Sequence, residues 1–345
     1  MNYGFRFLVS IILALLVSVV SAQEAKLILD KKGDFKITEW GVYTNCIDCG
    51  ITKSESSDNY SKLAAIANII RKNPVLQGIN GFDCQVILYS ENMWDNKFRY
   101  GIPSKMSVQF CYFFTNKSGK EGKATIEPPD FDIHINQLKS TMCGGFGFRV
   151  KDNVRDADNP NFDQKKWEQA AARTREIFFT PGKKETLEPG IDRYASETVI
   201  IYNPNRPDYW IPVTIKEVFE ALIEFYEYDP DKYTSDLTLK MLEEEYALYS
   251  EEERNKYAYL GGRGSAPLSN VDAEENDVQV MCINTNYWNK NLARSAIQIL
   301  SFNLLADKER YRKEAEEKLK INAGSYHVSR FLEVLDIKTL LPTIE

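Results

Sequence analysis

The sequence predicts an α+β fold, with a mixed, sheet-rich N-terminal half and a mainly helical C-terminal half. One observation is the segment Ser107–Phe114, which is apolar on both faces, as expected of a central strand. A second is that apolar residues recur at helical spacing in segments after residue 164. A third is the Asp- and Asn-rich stretch 151–163, which separates two regions of different composition.

The first 22 residues have the layout of a secretory signal peptide. A short basic segment, Met1–Arg6, precedes an apolar run, Phe7–Val20, which ends in small residues before Gln23. The run has 14 residues, whereas a membrane-spanning helix needs about 20. We therefore expect residues 1–22 to be cleaved, leaving a soluble, secreted or periplasmic protein without a membrane span.

The first predicted domain, 23–150, combines strands with a helix and holds five of the six cysteines. The central strand is predicted to pair with a returning strand at 124–126 and 131–135, which Pro128-Pro129 interrupts. An earlier helix ends before Pro74, because proline disfavours helical geometry in the residue before it. The apolar residues of this helix are Leu63, Ile66, Ala67 and Ile70.

After a linker at 151–163, residues 164–345 are predicted to form a mainly helical domain with a small strand pair. The capping-box sequences Thr214–Glu217 and Ser250–Glu253 each predict a helix start, because the hydroxyl and the carboxylate bind free backbone N–H groups. The other predicted elements are helices at 164–178, 306–321 and 326–335 and strands at 278–283 and 296–302.

The stretch TNCIDCG, residues 44–50, contains a CxxC motif. In an exported protein an even number of cysteines predicts disulfides, and complete pairing would join Cys282 to the first half, which holds the other five. A redox pair and half of a metal site are the alternatives. Residues 50–57 after the motif are predicted to form a loop rather than the helix that a redox motif opens, and no second CxxC follows. The predicted disulfide residues are Cys46, Cys49, Cys84, Cys111, Cys143 and Cys282.

The strand-like segment at 130–135 is a candidate metal site. Side chains alternate along a strand, so Asp130, Asp132 and His134 share one face and could coordinate a divalent cation. The alternative is an ordinary half-exposed strand, with the apolar residues between them facing the core and the polar set facing water. No other cofactor is predicted.

Two Tyr-Trp pairs among asparagines, Tyr209-Trp210 and Tyr287-Trp288, are candidate ligand-binding residues, and Trp94 has a similar neighbourhood. Aromatic rings beside amide and carboxylate groups can form a sugar-stacking surface. The alternative is that these rings anchor loops to the core.

The composition and the absence of motifs restrict the function. A formal net charge of -7 disfavours a nucleic-acid partner, and no GxSxG, HExxH or Cys-His protease motif is present. We predict an exported protein that binds an envelope or extracellular ligand or partner, such as a carbohydrate or an envelope protein, without doing chemistry. The alternatives are a carboxylate-dependent hydrolase of polysaccharide or peptidoglycan and a cell-envelope assembly protein that uses 306–321 and the loop after Gly261.

Overall fold

Strands and helices are both extensive, so the fold is α+β as predicted. The computed structural model describes residues 26–40, 51–90, 101–116, 118–138, 157–177, 180–195, 197–260, 278–304 and 323–345. The predicted signal peptide, Trp94, the CxxC motif, Cys143, the loop after Gly261 and the predicted helix at 306–321 lie outside these residues. Within the described ranges, no helix combines the length and the apolar character needed to cross a bilayer.

The described elements follow one another along the chain. The strands are β1 (Lys26–Leu27), β2 (Phe35–Trp40), β3 (Phe82–Ser90), β4 (Ser104–Thr115), β5 (Glu121–Lys123), β6 (Asp130–Ile135), β7 (Lys184–Glu188), β8 (Ile191–Tyr194), β9 (Thr198–Tyr202), β10 (Trp210–Pro212), β11 (Tyr259–Leu260), β12 (Val278–Gln279), β13 (Met281–Ile283) and β14 (Ile299–Asn303). The helices are α1 (Lys53–Ile70), α2 (Pro74–Gln77), α3 (Gln164–Ile177), α4 (Ile215–Glu227), α5 (Lys232–Leu248), α6 (Glu251–Arg254) and α7 (Ala323–Glu333), followed by a 3-10 helix (Ile337–Thr343).

Contacts divide the chain into two compact units. The first contains the described parts of 1–93, 101–136 and 293–345, and the second contains those of 137–292. This division differs from the predicted linear one, because the C-terminal residues belong with the N-terminal unit. Each unit contains both strands and helices.

The first unit is built on a sheet with the strand order β2-β3-β4-β6-β14. β2 and β3 are parallel, whereas the other neighbours are antiparallel. β4 is a central strand, as the sequence predicts, and β6 matches the second part of the predicted returning strand. The first part is wrong, because the chain leaves β5 before Ile126, which is 87% exposed, and turns through Glu127 at φ 46°.

α1 is fixed at its N-terminus by a charged contact. Thr52 and Glu55 form a capping box, and Arg294 donates two hydrogen bonds of 2.7 Å to the Glu55 carboxylate. The Arg294 guanidinium is the main cause that lowers the pKa of Glu55 to about 2. Further along α1, the Asn59 amide donates to the buried hydroxyls of Ser90 and Ser104. These contacts hold α1 against the sheet and against the chain at 294.

Aromatic side chains form the core between the sheet and α7. Phe110 lies 5.2 Å from Phe82 and 5.5 Å from Phe331 between ring centroids, and Phe331 lies 5.6 Å from Phe131. His327, also on α7, packs 4.5 Å from the Phe82 ring and is fully buried. Neither nitrogen of His327 has a hydrogen-bond partner among the described residues, so the imidazole is packed as an apolar ring.

The register of β3 and β4 places two cysteines on opposite faces of the sheet. Cys84 pairs with Phe110, whereas Cys111 pairs with Asp83, and neighbouring residues of a strand point to opposite sides. Both are buried free thiols, so the expected pairing of six cysteines does not extend to them in this structure. Cys282 is half-buried on β13, and the pairing of the other cysteines stays a prediction.

The second unit contains antiparallel strands and a group of packed helices. β7, β8 and β9 follow one another as a meander, and β10 pairs with β13 so that Trp210 lies opposite Ile283. The helices α3, α4 and α5 share a core around Trp167 and Phe219. Both predicted capping boxes are confirmed, at the starts of α4 and α6.

We expect the buried His327 to make stability depend on pH. Burial lowers the pKa of His327 from 6.5 to about 4, so the unfolded chain binds the proton first as the pH falls. Stability is therefore fully present above pH 6.5 and falls towards pH 4, by about 3 kcal/mol at about 1.4 kcal/mol per unit of pKa. Urea unfolding at several pH values, compared with His327→Leu, measures this loss. Identical pH profiles for the two proteins would contradict it.

We expect Cys84 and Cys111 to resist alkylation in the folded protein. Burial raises the pKa of the Cys84 thiol to about 12 and also raises that of Cys111, and the thiolate is the reactive form. Iodoacetamide followed by peptide mass mapping, without reductant, should label both residues only after unfolding in denaturant. Failure to label them in denaturant would mean that they are bonded to other cysteines.

Candidate functional site

A cleft of about 210 Å³ opens in the second unit. It is formed by residues at the start of β7, the end of β8, β10 and the neighbourhood of β12 and β13. The side chains that matter to its chemistry are Lys184, Tyr194, Asp208, Tyr209, Trp210 and Gln279. The cleft therefore combines aromatic rings with a cation, a carboxylate and an amide.

The pairing of β7 with β8 positions the polar side chains beneath the cleft. Lys184 lies opposite Tyr194 and Thr186 lies opposite Asp192. Since side chains two residues apart on a strand share one face, these four residues project to the same side of the two strands. Tyr209, the residue before β10, contacts both Asp192 and Tyr194, so two strands and this third segment contribute to one polar group.

Asp192 is fully buried and is the centre of this group. Its Oδ1 accepts a 2.7 Å hydrogen bond from the Thr186 hydroxyl and a longer one, 3.4 Å, from Tyr202. Its Oδ2 accepts a 2.7 Å bond from the Tyr209 hydroxyl and lies 3.5 Å from the Lys184 ammonium. Burying a carboxylate is costly unless it is paired and hydrogen-bonded, and these four donors meet that requirement.

The tyrosine hydroxyls form a directed chain of hydrogen bonds. A tyrosine hydroxyl has one proton, and that of Tyr209 is donated to Asp192. Tyr194 is therefore the donor in the 2.8 Å hydrogen bond between the hydroxyls of Tyr194 and Tyr209. Burial raises the pKa of Tyr209 and of Tyr194, so both hydroxyls keep their protons at neutral pH and the direction of the chain is fixed.

The structure brings the two predicted Tyr-Trp pairs together. The Tyr209 ring lies 6.1 Å from Tyr287 and 5.9 Å from Trp210 between centroids, and Trp288 lies 5.6 Å from Tyr287. Tyr287 is buried, and its hydroxyl accepts a hydrogen bond from the Asn203 backbone N–H. Tyr209 and Trp210 are nearly as buried, at 3% and 5% exposed. They are nevertheless among the residues that line the cleft, where they present only a small part of their ring surface.

The predicted metal residues lie in the first unit on one face of β6. Asp132 accepts a 3.0 Å hydrogen bond from the Lys105 ammonium, and Asp130 accepts one of 3.0 Å from Ser107. Burial, with the nearby Asp132 charge, raises the pKa of Asp130. Within the ranges that the structure describes, no three His, Cys, Asp or Glu side chains converge in a group that could hold a metal ion. A metal bound by Asp130, Asp132 and His134 stays a prediction.

Sequence reasoning did not identify Asp192, Tyr194 and Lys184. The alternation of Asp192 and Tyr194 along β8 is visible in the sequence, but an aspartate on a short strand ordinarily indicates a solvent-exposed face. Its burial results from Tyr209, which is 17 residues away along the chain. The local sequence pattern therefore did not predict this site.

Comparisons with known proteins do not assign the chain to a group. No protein-family model, curated protein or solved structure matches it. The chemistry of the cleft is therefore the basis on which a function can be argued.

We expect Tyr209→Phe to destabilise the second unit by about 1–3 kcal/mol, because a buried carboxylate and the Tyr194 hydroxyl each lose a partner. Tyr202→Phe is the matched control, since its 3.4 Å contact with the same carboxylate is weak, and should cost less than about 1 kcal/mol. Urea unfolding of the two variants makes the comparison. Equal losses of unfolding free energy in the two variants would show that the hydrogen bonds of Tyr209 do not hold Asp192 in place.

Proposed function

We propose that the protein is exported and binds a small polyhydroxylated ligand, such as a sugar of an envelope or extracellular glycan, in the cleft of the second unit. The observation that carries this proposal is the combination of Tyr209 and Trp210 with Lys184, Asp208 and Gln279 in one cleft. Export is supported by the signal-like N-terminal segment.

The chemistry of the cleft suits a sugar better than a purely apolar or purely charged ligand. A sugar ring presents C–H groups on its faces and hydroxyls on its edges, so it needs both ring surfaces and hydrogen-bonding groups. The Lys184 ammonium donates, the Asp208 carboxylate accepts, and the Gln279 amide does both. These polar groups would provide most of the contacts to a sugar, because Tyr209 and Trp210 are only 3% and 5% exposed.

The volume of the cleft limits the size of the ligand. Pockets for drug-sized molecules measure roughly 300–1,000 Å³, and this cleft, at about 210 Å³, is smaller. It favours a single sugar ring or the end of a chain over an extended polymer. A preformed site of this kind also binds without a large cost of ordering, because the chain from Tyr194 to Asp192 holds the tyrosines in place.

Binding without chemistry is the reading that the cleft supports. A glycoside hydrolase needs two carboxyl groups facing the bond that is cleaved. In Asp192 both oxygens accept bonds from protein groups, which leaves Asp208 as the carboxylate at the cleft surface among the residues that the structure describes. A hydrolase of polysaccharide or peptidoglycan and an envelope assembly protein stay alternative predictions.

The proposal is tested by titrating the protein with a panel of mono- and disaccharides. Binding is detected as a change in tryptophan fluorescence and in the melting temperature. We expect Lys184→Met to weaken binding about tenfold or more, because a hydrogen bond to a charged group is worth about 1.5–3 kcal/mol. The matched control is Lys183→Met, the exposed neighbour that does not line the cleft. Sugars that leave the fluorescence and the melting temperature unchanged, or equal losses in the two variants, would argue against a sugar site here.

A further inference from the structure

A stripe of large apolar side chains is exposed along α5. Tyr233 is 90% exposed, Leu237 66%, Met241 61% and Leu248 83%. Their spacing of four, four and seven residues places them on one side of the helix. We refer to these four residues as the α5 stripe.

The α5 stripe is not the surface that attaches α5 to its own unit. Ser235 and Leu242 are buried on the opposite side, and the Tyr246 ring stacks on Phe219 of α4 at 5.2 Å. The helix therefore carries two apolar surfaces, of which one is packed and the other faces solvent. Single exposed apolar residues are common, but a contiguous row of them marks an interaction surface.

The exposed area fits a modest protein interface. Four large side chains at these exposures offer roughly 500 Å² of apolar surface, and the aliphatic stems of Lys240 and Glu244 beside them add to it. A standard interface buries roughly 800 Å² on each partner. The α5 stripe supplies more than half of that area from one helix, which is enough for a weak interface and too little for an obligate one.

The charges of α5 are distributed unevenly between its two halves. Residues 232–240 carry Lys232, Asp236 and Lys240, a net charge of +1, whereas residues 241–248 carry Glu243, Glu244 and Glu245, a net charge of −3. Two parallel copies of the helix would bring six glutamates together. Two antiparallel copies would instead place each positive half against a negative half, and would also oppose the helix dipoles favourably.

We propose that the α5 stripe is a docking surface for a second copy of this chain, with the two α5 helices antiparallel about a two-fold axis near residues 240 and 241. In this arrangement Tyr233 packs beside Leu248 of the partner subunit, and the two large ends of the stripe cover each other. The same patch is used on both copies, so the contact closes into a dimer rather than a filament. The proposal is independent of the ligand cleft.

Sedimentation velocity of the full mature chain over about 1–100 µM tests the proposal, a range suited to a micromolar dimer. We expect wild type to pass from monomer to dimer and Leu237→Glu/Met241→Glu to remain monomeric. The control is Ile126→Glu, which changes an apolar residue of the first unit that is even more exposed, at 87%, and this variant should dimerise as wild type does. Lys240→Glu should weaken the dimer because it removes the opposite charges between the halves.

Hydrogen exchange of wild type gives a second measurement that needs no variant. Protection of the amides of 233–248 should rise with protein concentration, while that of α4 stays constant. A wild type that is monomeric throughout, or a dimer that the double variant forms equally well, overturns the proposal. If the protein is monomeric, the α5 stripe would instead be expected to bind a protein of different sequence.

Discussion

The buried carboxylate of Asp192 is the group on which the geometry of the cleft depends. Its charge can be buried only because Thr186 and Lys184 on β7 and Tyr209 before β10 supply donors to it. Meeting that requirement fixes the positions of β7, β8 and the start of β10 relative to one another. The direction of the tyrosine chain follows from the single proton that Tyr209 donates to the carboxylate.

The two faces of the sheet in the first unit make different contacts. Phe82, Phe110 and Phe131 meet α7 on one face, and the polar residues of β6 lie on the other. There Lys105 places a positive charge beside Asp132, which provides within the protein the neutralisation that a bound cation would otherwise supply. The same alternation that suggests a metal site thus accommodates an ordinary ion pair.

The two proposed surfaces of the second unit rely on different physical effects. The cleft is concave and combines rings with hydrogen-bonding groups, which suits a small hydroxylated ligand. The α5 stripe is a helix face with large apolar side chains and an uneven distribution of charge, which suits association with a second copy. They lie on different elements, so a substitution in one surface can be tested without removing groups from the other.

The sequence by itself determined the elements whose signals are local. The strand β4 and the helices that begin after Thr214 and Ser250 were predictable, because strand alternation and capping involve residues close in sequence. The capping box of Thr52 and Glu55 carries the same signal. Only the tertiary structure decided that the chain after 293 returns to the first unit, that Cys84 and Cys111 face opposite sides, and that Asp192 is buried. These features depend on contacts between residues distant in sequence, whose burial and hydrogen bonds no local pattern specifies.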